Sequence, residues 1–138
     1  MSITKKYLKD LIYNVNGAAI EIHKALGPGL LESVYHDCMK HELSLRNIQF
    51  KSESSVPVQY KTLKLDARLR CDLVVENILA VELKSAEGMI PLYDAQILTY
   101  MKLLQVPMGL LINFNSTHIF DHGQRTFVNE HYRTLPEE

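Results

Sequence analysis

At 138 residues, 46% of them hydrophobic, the chain is long enough to bury one sizeable core and too short for two ordinary domains. Its 15 Lys and Arg against 16 Asp and Glu leave a formal charge of −1, so any nucleic-acid contact must be a local patch and not a global field. There is no apolar run of membrane-spanning length, no signal-peptide pattern at MSITKKYLKDL and no CxxC or Cys/His spacing around Cys38 and Cys71, so a cytoplasmic setting with two reduced core cysteines is expected.

Tyr7, Leu8, Leu11, Ile12, Val15, Ala18, Ala19, Ile22, Ala25 and Leu26 recur at three- and four-residue spacing, which predicts an amphipathic helix of about five turns. Gly27-Pro28-Gly29 ends it, because Pro28 disfavours helical geometry at Gly27. A second helix is expected from about Leu30 to Arg46, with Leu31, Val34, Tyr35, Cys38, Met39, Glu42 and Leu45 along one side and Asn47 as its cap. Glu32 stands in its first turn, where the helix dipole favours a carboxylate whatever else it does. Tyr35, three residues on, shares its face and suits packing or hydrogen-bonding support.

Ile48 to Lys61 reads as an extended segment in which Val56, Val58 and Tyr60 alternate around Pro57, a residue that belongs on a sheet edge. Leu63 and Leu65 continue it, and a bend is expected near Asp66-Ala67, since one straight strand to Val75 would be unusually long. Lys61, Lys64, Arg68 and Arg70 form a basic cluster that reads either as a charged strand edge or as a local nucleic-acid contact.

The stretch RCDLVVENILAVELK, Arg70 to Lys84, predicts a hairpin. Cys71, Leu73 and Val75 alternate with Asp72 and Val74; Leu79, Val81 and Leu83 alternate with Ala80, Glu82 and Lys84. If the larger apolar residues of both strands face one core, Asp72, Glu82 and Lys84 share the other face. That condition pairs Val75 with Leu79, Leu73 with Val81 and Asp72 with Glu82, across a Glu76-Asn77-Ile78 loop with Asn77 suited to a left-handed torsion. Two carboxylates would then stand roughly 4.5–5.5 Å apart at Cβ, a repulsive pair that needs compensation; a divalent cation with Lys84 beside it is the natural candidate.

After a Ser85–Ile90 loop, Pro91 suits the first turn of a helix running to about Leu104. It carries Leu92, Ala95, Leu98 and Thr99 on one stripe and Tyr93, Gln96 and Tyr100 on another. Met108–Asn113 reads as a buried strand, placed by a right-handed crossover parallel to the strand before the helix. His118–Phe120 and Arg125–Val128 suggest a final hairpin around His122-Gly123-Gln124, followed by a polar, loose tail. The six histidines show no ligand spacing, and GxSxG, P-loop and GxGxxG motifs are absent, which leaves serine hydrolase, NTPase and dinucleotide readings without an anchor.

Asp72 with Glu82-Leu83-Lys84 on the next strand resembles the D…ExK core of the PD-(D/E)xK nuclease superfamily. Gly29-Leu30-Leu31-Glu32-Ser33-Val34-Tyr35 is similar to the signature of the GxxExxY family, grouped with those nucleases. The likeness runs from about Ile20 to Val128 and takes in Asp94-Ala95-Gln96…Tyr100 and the Gly109–Phe114 strand. It implies an α/β, restriction-endonuclease-like core: a mixed central sheet of about four or five strands flanked by helices, in the order α-α-β-β-β-α-β-β. The single domain would span residues 1–138, with its core at about 20–128 and its tail at 129–138.

The resemblance also implies a site of Glu32, Asp72, Glu82, Lys84 and Gln96, supported by Tyr35 and Tyr100. Asp72 and Glu82 would bind Mg²⁺ or Mn²⁺, with the Leu83 carbonyl as a third oxygen, for hydrolysis of a nucleic-acid phosphodiester bond. DNA and RNA both remain open, and cutting a duplex with one such site takes two subunits, hence a homodimer. Two other readings stand beside this one: an inactive nuclease-fold module that binds nucleic acid or protein, and a purely structural Glu82–Lys84 ion pair on a strand face.

Overall fold

The periodic apolar residues of the N-terminal third wind into α1 (Lys5–Leu26) and α2 (Glu32–Leu45) in the computed structural model, which describes residues 3–65 and 68–138. The Thr4 hydroxyl caps α1 by accepting from the Tyr7 N–H at 3.0 Å. Gly27 stops the helix with a φ of 74°, a torsion that costs glycine no Cβ clash. At the end of α2, Asn47 takes a φ of 59°, its N–H donates to Ser44 O at 3.1 Å and the Ile48 N–H donates to Leu43 O at 3.0 Å. This is the Schellman arrangement expected of a cap at Asn47.

The face of α2 differs from the predicted one. Its buried residues are Tyr35, Met39 and Leu43, whereas Leu31, Val34 and Leu45 are exposed and Leu31 is the N-cap. The flanking apolar residues widened the stripe in the sequence, but a helix seated between a neighbour and a sheet buries one narrow row, here spaced by four.

The remaining elements are β1 (Phe50–Val56), β2 (Gln59–Tyr60), β3 (Leu63–Lys64), β4 (Leu69–Val75), β5 (Leu79–Lys84), α3 (Pro91–Leu104), β6 (Met108–Asn113), α4 (Ile119–His122), β7 (Gln124–Val128) and α5 (Glu130–Arg133). Five strands form one mixed sheet in the order β1-β4-β5-β6-β7, with β5 and β6 parallel and the other neighbours antiparallel. The parallel step across α3 is the predicted crossover. β1 is an edge strand and ends just before Pro57; β2 and β3 pair only with each other, so the extended segment is cut where Pro57 removes a ladder donor. The bend expected at Asp66-Ala67 lies outside the described residues.

Helices cover both faces, as the α/β reading requires. On one face α1 and α2 pack on Leu73, Val75, Leu79, Val81, Leu83, Leu110 and Ile112; on the other α3 packs on Val74 and Ala80 through Ile97, Tyr100 and Met101. The stripe of α3 carrying Leu92 and Leu98 points outward, and the row that faces the sheet is the one between. Gly109 allows this close seating, because a Cβ there would meet Met101 Sδ at 2.7 Å and Ile97 Cγ1 at 3.0 Å.

Two features of the C-terminal region correct the sequence reading. His118–Phe120 does not form a strand: His118 Nδ1 caps α4 by accepting from the Asp121 N–H at 3.1 Å, Ile119 enters the core, and β7 pairs with the open edge of β6 instead. The tail is polar yet docked. The Lys5 and Lys6 N–H groups, unpaired donors of the first turn of α1, donate to Pro136 O (2.8 Å) and Glu137 O (3.0 Å), and Tyr132 and Leu135 pack on the α1–α2 cluster. Deleting residues 129–138 should therefore lower unfolding free energy by about 2 kcal/mol in urea titrations. A loss below about 0.5 kcal/mol, the level of an ordinary surface change, would show that the tail does not hold the fold.

Candidate active site

β4 and β5 pair as the shared-core condition demands: Leu73 with Val81, Val74 with Ala80 and Val75 with Leu79. The turn reaches that register by an unexpected route. Glu76 and Asn77 both have positive φ (54° and 58°), and the Ile78 N–H donates back to Val75 O at 3.0 Å, which is the geometry of a two-residue turn. Ile78 is then the extra residue, buried against the α1–α2 cluster, and it restores the register that keeps Asp72 and Glu82 on one face.

The ladder lapses at Asp72. Opposite Glu82 the main chains stop bonding to each other and the carboxylates replace them. The Leu83 N–H donates to Asp72 Oδ2 at 2.8 Å, and the Asp72 N–H donates to Glu82 Oε1 at 3.3 Å. On its other side Asp72 is also skipped, where β1 places Glu53 at a φ of 48°. This double lapse breaks the alternation of β4. Cys71, expected beside Leu73, instead joins Val74 in the cluster under α3, with its thiol donating to Leu73 O at 3.3 Å.

Glu82 is only 4% exposed, and burial first, then the neighbouring Asp72 charge, pushes its carboxyl up to about 8 from 4.5. The same two causes act around it: burial and then Glu82 raise the Tyr100 hydroxyl and the Cys71 thiol. Glu32, at the start of α2, is open to solvent on one side, but partial burial and then Asp72 raise it, while Lys84 and His36 pull it down. Its charge therefore belongs to the same field, although it makes no hydrogen bond to the pair.

Lys84 is held from α3. Its amine donates to Gln96 Oε1 at 3.3 Å and lies 4.7 Å from the centre of the Tyr93 ring, and Gln96 Nε2 donates to Tyr100 Oη at 3.3 Å. Among the described residues no ion pair joins Lys84 to Asp72 or Glu82, which removes the reading of Glu82–Lys84 as a strand-face ion pair. Tyr35 is support: fully buried, it stacks on Phe114 at 4.3 Å, donates to Gly27 O at 2.5 Å and accepts from the Leu30 N–H at 3.2 Å. The turn it braces meets the loop after β5, where the Ser85 hydroxyl donates to Leu30 O at 2.6 Å.

Sequence reasoning missed Asn113, which is 2% exposed at the end of β6 beside Lys84. Its amide donates to Ala86 O at 3.0 Å and accepts from the Ala86 N–H at 3.1 Å, so it fixes the loop that follows the ExK strand. A polar residue closing the otherwise apolar run MGLLIN was the available signal.

Among the described residues, no three His, Cys, Asp or Glu side chains form a group able to hold a metal ion. The set is a pair, Asp72 and Glu82, completed only by main-chain oxygen or water. Within that limit the pair fits a divalent cation: two hard oxygen donors, one of them buried, with no ion-pair partner among the described residues.

A family model described as the PD-(D/E)XK nuclease superfamily matches residues 9–126. No curated protein and no solved structure matches the chain.

The raised Glu82 fixes a pH dependence. The folded state holds a proton that the unfolded state releases between 4.5 and about 8, so this stabilising contribution is complete at low pH and is lost as pH rises through that window. In chelator, Glu82→Gln should melt increasingly above wild type as pH goes from about 5 to about 8.5. Parallel melting curves across that range would show that Glu82 titrates normally.

Proposed function

The chain belongs to the PD-(D/E)XK nuclease superfamily, and on that premise we propose that it hydrolyses a phosphodiester bond of a nucleic acid, using Mg²⁺ or Mn²⁺ held by Asp72 and Glu82. The observation that carries this reading is the carboxylate pair of buried Glu82 and half-buried Asp72, without an ion-pair partner among the described residues and next to an amine held from a different element. Within the superfamily we assign the chain to the GxxExxY group, on Gly29, Glu32 and Tyr35. A cytoplasmic setting, in keeping with free Cys38 and Cys71, is part of the proposal.

When bound, the cation would lower the pKa of a coordinated water and offset charge developing on the phosphate. The chain's own residues have distinct roles. Asp72 and Glu82 supply carboxylate oxygens while each also accepts from a backbone N–H, which fixes its rotamer. The Leu83 carbonyl is the third oxygen in this reading; it leaves β5 on the same side as the Leu83 N–H that meets Asp72. Lys84 would donate to the phosphate oxygens as the water oxygen bonds to phosphorus and the P–O bond to the leaving oxygen breaks, the water giving up a proton to solvent and the leaving alkoxide taking one from it. Gln96 positions the Lys84 amine, Tyr100 orients Gln96, and Glu32 orients water at the rim.

One observation favours a second reading, an inactive module that binds nucleic acid or protein: no third acidic group joins the pair among the described residues. Thermal melts separate the two. At a metal concentration about ten times Kd, wild type should gain about 3–8 °C in Tm, and Asp72→Ala should gain nothing. Lys84→Ala should keep the shift yet cut nucleic acid at least about a hundredfold more slowly. A metal shift without cleavage of any single- or double-stranded DNA or RNA would favour the binding module; no shift in wild type, with substrate present or absent, would sink the metal site.

A further inference from the structure

The geometry points to the β2–β3 arm as a grip for an unpaired nucleic-acid strand, stacking a base on Tyr60 and holding phosphates with Lys61, Lys64, Arg68 and Arg70. This inference rests on the nuclease reading and names its substrate class. The arm leaves the sheet between β1 and β4. Its base is closed by the Leu65 N–H donating to Val58 O at 2.8 Å, Gln59 and Tyr60 pair with Lys64 and Leu63, and Lys61 turns the chain with a φ of 53°.

The fold does not need this arm. Residues 59–64 are all exposed, and none belongs to either apolar cluster. A two-stranded hairpin this short has little stability of its own. Yet it displays apolar surface, with Tyr60 64% and Leu63 55% exposed on paired positions and the Lys61 amine 5.3 Å from the Tyr60 ring centre.

Charge completes the case. Residues 57–70 carry four Lys and Arg against the single Asp66, while the rest of the chain carries 11 against 15. Among the described residues, none of those four cations pairs with a carboxylate. An exposed ring among cations is the arrangement that binds single strands, the ring taking a base face and the cations the backbone. A duplex hides its base faces and would leave Tyr60 unused. The returning limb of the arm leads into β4, where Arg70 precedes Asp72 by two residues, roughly 7 Å along a strand. The arm thus adjoins the carboxylate-bearing strand along the chain, with the face change at Asp72 between Arg70 and the site.

The test is fluorescence anisotropy of the full chain in EDTA with labelled single-stranded DNA, single-stranded RNA and the matching duplex, each with a thermal melt to verify folding. Tyr60→Ala should weaken single-strand binding about fivefold or more, leave duplex binding unchanged and keep the wild-type Tm, and Tyr60→Phe should restore it. Lys61→Ala with Lys64→Ala should flatten the slope of log K against log salt by about 1.4. Whichever of DNA and RNA binds more tightly identifies the sugar. Single-strand affinity indifferent to both sets of changes overturns the inference, as does tighter binding of poly-glutamate than of either single strand, which would make the arm a protein contact. Unaffected binding combined with Asp72-dependent cleavage overturns the arm alone. Arm-dependent binding without metal-dependent cleavage supports the arm and overturns only the nuclease reading.

Discussion

The structure turns on an exchange of hydrogen bonds at one rung of the hairpin. Where β4 and β5 part, two N–H groups lose their carbonyl partners, and a buried N–H left unpaired costs about 1–3 kcal/mol. Asp72 and Glu82 satisfy both, each accepting from the opposite strand. The same bonds hold two carboxylates side by side, one of them nearly out of water, against their mutual repulsion. Local satisfaction of the backbone thus sustains an arrangement that electrostatics alone would disperse, and leaves a carboxylate pair with no ion-pair partner among the described residues.

The layers of the fold serve that rung. α1 and α2 fill one face with aliphatic contacts and hold β4 and β5 rigidly from behind. α3, seated close to β6 through Gly109, brings Gln96, Tyr93 and Tyr100 over the other face and draws the Lys84 amine to its own side. Lys84 is therefore near the carboxylates without cancelling them. Behind the site, Tyr35 and Asn113 brace the two loops that border it, and the Ser85–Leu30 bond links those loops. The superfamily match over residues 9–126 spans all these parts, including the N-terminal helix that packs against the back of the sheet.

The double lapse at Asp72 also accounts for a local strain. Glu53 takes a positive φ at the position facing Asp72 in β1, a torsion uncommon for a residue with a side chain. It lets both strands change face there, so that Ser54 and Cys71 pair again beyond it while Cys71 lies under α3. The site and the edge strand are coupled by this kink, and the β2–β3 arm continues from it.

Periodicity and spacing in the chain determined which residues form α1, α2 and α3, that Asn47 caps α2, that β6 returns parallel, and that Asp72, Glu82 and Lys84 share a face. Each follows from local torsions or from the requirement that one face be buried. Tertiary structure alone decided which row of α2 and α3 faces inward, because flanking Leu31, Val34, Leu92 and Leu98 are as apolar as the buried rows. It decided that His118–Phe120 coils instead of pairing and that the polar tail docks, since both depend on which orphan donors and open edges lie within reach. It also decided that Lys84 bonds Gln96 and not Glu82, a choice between partners far apart in the chain that only the seating of α3 on the sheet resolves.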